Sequence, residues 1–241
     1  MNGGRSVGTS RHSTYRTFLA ADIESYGQLE RSDSVRVRLR HHLTDWCTAL
    51  FDRAGVDPGS WMLQDTGDGW LLSIDPNVSR SLLLDAVPRG LRQRLLDYNQ
   101  DSPHAERLRL RLAMHAGDVL SDPDPFVGEA TNHVCGLLDS EELRDCLRAT
   151  TQPLAVMVSK EIYQGVVRRA HGGLDPTAWH QIVVEGKEGP TDTWVHVPGD
   201  VDAPARLEAA SSARAPISAW PRSSPPTPSA SSGGSGWSTT W

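Results

Sequence analysis

The first apolar run of the chain, Thr17-Phe18-Leu19-Ala20-Ala21-Asp22, is short and continuous rather than periodic, which predicts a buried strand ending on an acid. Beyond it Val35, Leu39, Leu43, Trp46 and Leu50 recur at three to four residue intervals, from a cap at Ser32 or Asp33 to a stop at Gly55, and predict an amphipathic helix. Trp61–Gln64 and Trp70–Ile74 flank the turn Thr66-Gly67-Asp68-Gly69, a hairpin pattern with Asp68 at the tip. Residues 79–99 are helical in pattern, and Pro88 is expected to break or restart that helix, because proline suits a first turn but not an interior. Leu108, Leu110, Leu112 and Met114 alternate with Arg109, Arg111 and Ala113, the period of a half-buried strand. After a loop at Ser121–Phe126, one helical pattern covers about Glu129 to Leu147, with Asp139-Ser140-Glu141-Glu142 read as its solvated face. Leu154–Val158 reads as a strand, Lys160–Arg169 as a helix, and Ile182–Val184 and Thr193–Val197 as two closing strands.

This order, βαββαβ followed by further α and β elements, predicts an α+β fold: a ferredoxin-like sandwich with one helix-covered sheet face. Of the 241 residues, 1–14 read as a flexible leader, 15–198 as the folded domain, and 199–241 as a disordered tail. The tail is dominated by Ala, Ser, Pro, Gly and Thr, too little apolar surface to offset its ordering entropy, with Trp220, Trp237 and Trp241 as isolated exceptions. The 30 acids against 24 bases, a net charge of −6, argue against a dedicated nucleic-acid binder. No apolar run approaches the ~18 residues of a membrane span, and Met1 to Thr14 has no signal-type apolar segment, so a cytoplasmic protein is expected. Cys47, Cys135 and Cys146, odd in number and without a C-x-x-C pair, read as small core residues.

Two acids stand out by position: Asp22 at the end of the first strand and Asp68 at the hairpin tip. Carboxylates converging at neighbouring strand ends suit a hard divalent cation, which takes oxygen ligands and completes its shell with water and phosphate. The segment Ile23-Glu24-Ser25-Tyr26-Gly27 leads toward a helix whose free N–H groups could receive phosphate oxygens. The adjacent His41 and His42 cannot share a helix face, which argues against a zinc site there, and His115 is expected to bond a neighbouring backbone group. No nucleophile elbow and no Walker loop is present.

Five segments in order resemble one family, the class III nucleotidyl cyclases, or adenylate/guanylate cyclase catalytic domain. They are Phe18–Tyr26 with Asp22, Gln64–Gly69 with Asp68, Leu110–Val119, Gly128–Asn132 followed by Leu137–Ser140, and Val184–Pro190. The resemblance implies that Asp22 and Asp68 bind two divalent cations, Mg or Mn, that bridge a nucleoside triphosphate, with Ile23 and Gln64 as further binding positions. It implies that Asn132 orients the ribose across a homodimer interface, that Lys187 is a catalytic residue of the closing turn, and that an effector reads the cyclic product. The charge and the apolar-run lengths, separately, lead us to expect no nucleic-acid or membrane partner. Three departures stand beside the resemblance. Gly136 occupies the place of the family's transition-state arginine, with Arg111 as a candidate substitute, and Glu185 stands where the closing-turn lysine aligns, two residues before Lys187. Gln64 and Pro125 replace the usual purine-reading pair, which is compatible with the antiphage branch of the family that cyclises UTP or CTP.

Overall fold

In the computed structural model, which describes residues 13–120, 125–186 and 189–206, the main elements run β1 (Ser13–Ile23), α1 (Asp33–Arg53), β2 (Trp61–Asp65), β3 (Gly69–Ile74), α2 (Arg80–Asp101), β4 (Leu110–Leu120), α3 (Glu129–Leu138), α4 (Glu141–Arg148), β5 (Leu154–Ser159), α5 (Lys160–Ile162), β6 (His180–Gly186) and β7 (Gly189–His196). The strands form one sheet in the order β2-β3-β1-β4-β5-β7-β6. The β4–β5 pair is parallel and the others are antiparallel. The first four strands reproduce the expected βαββαβ arrangement, with β1 in the middle.

The continuous apolar character of β1 has a simple cause: both its faces are buried. Leu19, Ala21 and Ile23 pack with Leu39, Leu43, Leu50, Leu83 and Leu91 of α1 and α2, while Phe18 and Ala20 pack with Val134, Leu137, Leu143 and Leu147 of α3 and α4. The expectation of a single helix-covered face is therefore corrected. The period-2 geometry of a strand then sends Asp22, in line with Phe18 and Ala20, toward the α3/α4 side.

Two helix boundaries also differ. Helix α2 runs unbroken through Pro88, burying Leu83, Leu84, Val87, Leu91 and Leu95 on one stripe. At about 1.5–3 kcal/mol for each fully buried side chain, that stripe outweighs the ~3 kcal/mol that an interior proline costs. The helix expected over Glu129–Leu147 instead breaks at Asp139, where Ser140 caps α4 by accepting from the Leu143 N–H at 3.3 Å and donating to the Leu137 carbonyl at 2.7 Å. Asp139-Ser140-Glu141-Glu142 is thus a helix end and a new start, not a mid-helix face, with Glu141 and Glu142 placed favourably against the helix dipole. The expected helix at Lys160–Arg169 is short and passes into a π turn at Tyr163–Val167, where the Tyr163 ring lies flat on Trp194 at 4.1 Å.

Strand β1 begins at Ser13, inside the stretch read as leader. Residues 199–206, read as the start of the tail, pack on the body: Ala203 is fully buried and Asp200 accepts from Thr150 Oγ1 at 2.6 Å. The rest of the leader and tail, including Trp220, Trp237 and Trp241, lies outside the described residues, as does Lys187. Cys47 and Cys146 are buried, as read, and Cys135 is half-buried. Among the described residues no helix is long and apolar enough to cross a membrane.

Candidate active site

Asp22 lies one residue from the end of β1, opposite Gly69 on one side and Arg111 on the other. The hairpin tip is stitched to the same point, because the Ile23 N–H donates to the Asp68 carbonyl at 3.0 Å. Gly69 makes this close approach possible: a Cβ there would sit 1.8 Å from the Ala21 carbonyl oxygen. The turn itself is held by Asp65, whose carboxylate accepts from the Gly67 N–H at 2.7 Å, with Gly67 at φ +96°. Asp22 and Asp68 are therefore brought together, Asp22 buried and Asp68 exposed.

Arg111 closes over Asp22 in a two-pronged ion pair. Its Nε donates to Oδ1 at 2.9 Å and its Nη2 donates to Oδ2. Burial raises the Asp22 pKa from 3.8 to about 6; Arg111 pulls against that rise, while the nearby Asp68 and Asp139 carboxylates add to it. Asp22 thus meets one guanidinium and two further carboxylates, of which Asp139 is paired with Arg144, and an ionised carboxylate keeps lone pairs beyond the two that Arg111 engages. This donor set, all oxygen with a surplus of negative charge, fits a hard divalent cation. Arg111 is committed to Asp22 and does not fill the place left at Gly136, which corrects the expectation that it could. Neither the Arg111 pairing nor Asp139 was foreseen as part of the site, though strand alternation from Ala113 already put Arg111 on the Asp22 face.

The loop after Asp22 is anchored by a residue that sequence reasoning missed. Arg31, 5% exposed, donates to the carbonyls of Glu24, Ser25, Ala105 and Arg107. It holds Ser25 in a left-handed conformation, φ +54°. The helix that follows this loop begins at Asp33, where its cap signal predicts it, and Ser32 accepts from the Val35 N–H at 3.4 Å. The Ile23 side chain lies in the α1/α2 core, so only its main chain borders the site. Gln64 is exposed on edge strand β2, in register with Leu71 and Ala20, and so shares the sheet face of Asp22.

Asn132 is exposed elsewhere, on a cleft of about 450 Å³ between α3 and the β6–β7 hairpin. Gly136, Val184, Gly186, Gly189 and Thr191 also line it, and Asp22 and Asp68 do not. Within one chain Asn132 therefore lines a different cleft from Asp22 and Asp68, with Asp139 bordering both. Gly186 and Gly189, which flank the closing turn, border the Asn132 half. Arg144 and Arg148, the nearest arginines along the chain, are paired with Asp139, Glu141 and Asp145.

His115 bonds a side chain rather than the expected backbone group: its Nδ1 lies 2.9 Å from Ser159 Oγ. Burial and the neighbouring His133 hold its pKa down at about 4. Asp22 and His115 pull stability in opposite directions with pH. Asp22, raised in the folded state, keeps a proton between about pH 4 and 6 that the unfolded chain has released, so its contribution falls as pH rises. His115, depressed, stays neutral while the unfolded imidazole is charged, so its contribution falls as pH drops from about 6.5 to 4. Each effect is roughly 3 kcal/mol at ~1.4 kcal/mol per unit. The urea midpoint is expected to stay nearly flat between about pH 4.5 and 6. Asp22→Asn should expose a loss toward acid and His115→Gln a loss toward higher pH, and two parallel wild-type-like profiles would refute the assignment.

No protein-family model matches the sequence, and no curated protein matches it. Solved structures do. An adenylate/guanylate cyclase/hydrolase from Silicibacter pomeroyi is similar with a TM-score of 0.55 at 23% identity, over 78% of this chain and 98% of that one. The guanylyl cyclase Cya2 is similar with a TM-score of 0.53 at 16% identity, over 77% of this chain and 92% of that one. The catalytic core of a rhodopsin-guanylyl cyclase with converted specificity, in complex with ATPalphaS, gives 0.51 at 16% identity, over 76% and 97%. The fold of this chain is that of the class III adenylate/guanylate cyclase catalytic domain.

Proposed function

We propose that the chain is a nucleotidyl cyclase that converts a nucleoside triphosphate to a 3′,5′-cyclic nucleotide and pyrophosphate. The observation that carries the reading is the convergence of Asp22 and Asp68 at one locus of a cyclase fold, secured by the Ile23–Asp68 backbone bond. In this proposal Asp22 and Asp68 hold two divalent cations, which when bound supply Lewis-acid activation of the 3′-hydroxyl and neutralise the triphosphate. Asn132 of a second copy positions the ribose, so the active unit is a homodimer with two composite sites. The separation of the two half-sites in one chain supports that arrangement. The Asn132 cleft, within the ~300–1,000 Å³ of ligand pockets, is large enough to take part of a nucleotide. Lys187 completes the closing turn, and Gln64, able to donate and accept, reads the base, for which a pyrimidine of the antiphage type is the reading we favour.

A second reading is favoured by one observation: Gly136 leaves the Asn132 cleft without a cation on that helix turn. On this reading the domain binds a nucleotide or dimerises without turning over. The test is a mass-spectrometric product assay with ATP, GTP, CTP and UTP, each with Mg²⁺ or Mn²⁺, with Asp68→Ala alongside because Asp68 is exposed and its removal spares the core. A cyclic product lost in Asp68→Ala supports the cyclase and names its base. Absence of any product from folded, dimeric protein overturns the first reading in favour of the second.

A further inference from the structure

On the same face of the sheet as Asp22, but at the far side of β4, three side chains from separate elements meet. His115 comes from β4, His133 from α3 and Glu161 from the first turn of α5, and one ligand atom of each lies within 4.8 Å of the others. His115 Nδ1 is 3.4 Å from Glu161 Oε2, and the two imidazole rings are 4.4 Å apart between centroids. The buried Nε2 of His133 has no hydrogen-bond partner, an omission that an interior polar atom rarely shows without a ligand to meet it. None of the three has a role in the proposed cyclase chemistry, although His133 also borders the Asn132 cleft.

We propose that His115, His133 and Glu161 form a binding site for a first-row divalent cation of zinc type, distinct from the Asp22/Asp68 locus. Two imidazole nitrogens and one carboxylate are the ligand set that zinc takes, and the nitrogen share disfavours magnesium and calcium, which prefer oxygen. Ligands at ~2.0–2.1 Å from a tetrahedral zinc lie about 3.3 Å from one another, close to the existing His115–Glu161 separation. The half-buried His133 supplies the third ligand, within 4.8 Å of the other two. The exposed Glu161 provides the path of entry, and water the fourth ligand.

The surroundings agree. Ser159, fully buried, hydrogen-bonds Glu161, the kind of outer partner that orients a metal ligand, and its hydroxyl gives up His115 Nδ1 to the ion. A cation here would clamp α3 to β4 and α5, and α3 is the helix that presents Asn132. The inference stands on this cluster alone and does not depend on the cyclase reading.

The test uses tag-free, chelator-treated full chain titrated with Co²⁺ and Zn²⁺. We expect one equivalent of Co²⁺ with visible d–d absorption of four-coordinate intensity, displaced by Zn²⁺. Zinc at about a hundredfold over its Kd should raise Tm by roughly 5–10 °C. Because His115 is buried in the sheet, the variants are His133→Ala and Glu161→Gln, each expected to weaken Co²⁺ binding at least about tenfold while keeping the far-UV circular dichroism. Asp68→Ala should bind Co²⁺ as the unaltered chain does. The proposal is overturned by the absence of a four-coordinate Co²⁺ spectrum, by binding that both cluster variants retain, or by binding that Asp68→Ala abolishes. None of these readouts involves nucleotide turnover, so they are independent of whether the chain is a cyclase.

Discussion

Gly136→Arg is expected to raise cyclic-nucleotide turnover by about 10²–10³, the range that one preorganised donor contributes at developing charge. Gly136 lies one helical turn beyond Asn132 on the same face of α3, and both line the same cleft. A Cβ placed there meets no heavy atom within 4 Å, and the position is exposed at the cleft, so a side chain can start from it without backbone strain. Among the described residues the nearest arginines are otherwise engaged: Arg111 is bound to Asp22, and Arg144 and Arg148 are tied to Asp139, Glu141 and Asp145. The substitution carries an internal control. Replacing an exposed mid-helix glycine with a good helix former should also stabilise the fold by roughly 0.5–1 kcal/mol, or about 1–4 °C in Tm. A higher Tm with unchanged turnover would mean that another group already stabilises the transition state or that the site does not turn over.

Asp22→Ala and Asp68→Ala should part company in stability while agreeing in the loss of metal-dependent product. Removing Asp22 leaves Arg111, 9% exposed and already holding one unpartnered nitrogen, as a buried charge with no counter-ion. Breaking a buried pair from one side costs about 3–5 kcal/mol, which for a domain of this size lowers Tm by roughly 6–20 °C. Asp68 is exposed, and its truncation should fall within about 0.5 kcal/mol of the parent. Differential scanning calorimetry of both variants decides this, and equal Tm values would show that the ion pair contributes little to the fold.

The elements that periodicity could locate were those whose burial matches one period. β1, the β2–β3 hairpin and β4 were all readable, because alternation or a continuous apolar run follows directly from one or two buried faces. The second covered face was not readable, since α3 and α4 looked like one helix until Ser140 was recognised as a cap, and a lone serine inside an acidic run carries little signal. Pro88 misled because local propensity opposed a stripe of five buried residues whose partners lie far along the chain. At the site, Asp22 and Asp68 were found by their places at a strand end and a turn. The pairing of Arg111 with Asp22, and the parts of Arg31 and Asp139, are not legible there, because they depend on contacts across long spans of sequence, 89 residues for Arg111 and 76 for Arg31, that no local pattern encodes.

The central place of β1 bears on how the chain is made. β1 is synthesised well before β4, which closes one of its edges and begins only at Leu110. At ~5–20 residues per second, roughly 4–17 s separate the two strands during synthesis. Through that interval the run Phe18–Ala21 can be shielded on one side by α1 and on one edge by β3, but its other edge and its α3-facing side chains stay open. Completion of the sheet is therefore a late event in which distant contacts close together, and the nascent chain is most exposed to mispairing, and to a chaperone, before Leu110 has emerged.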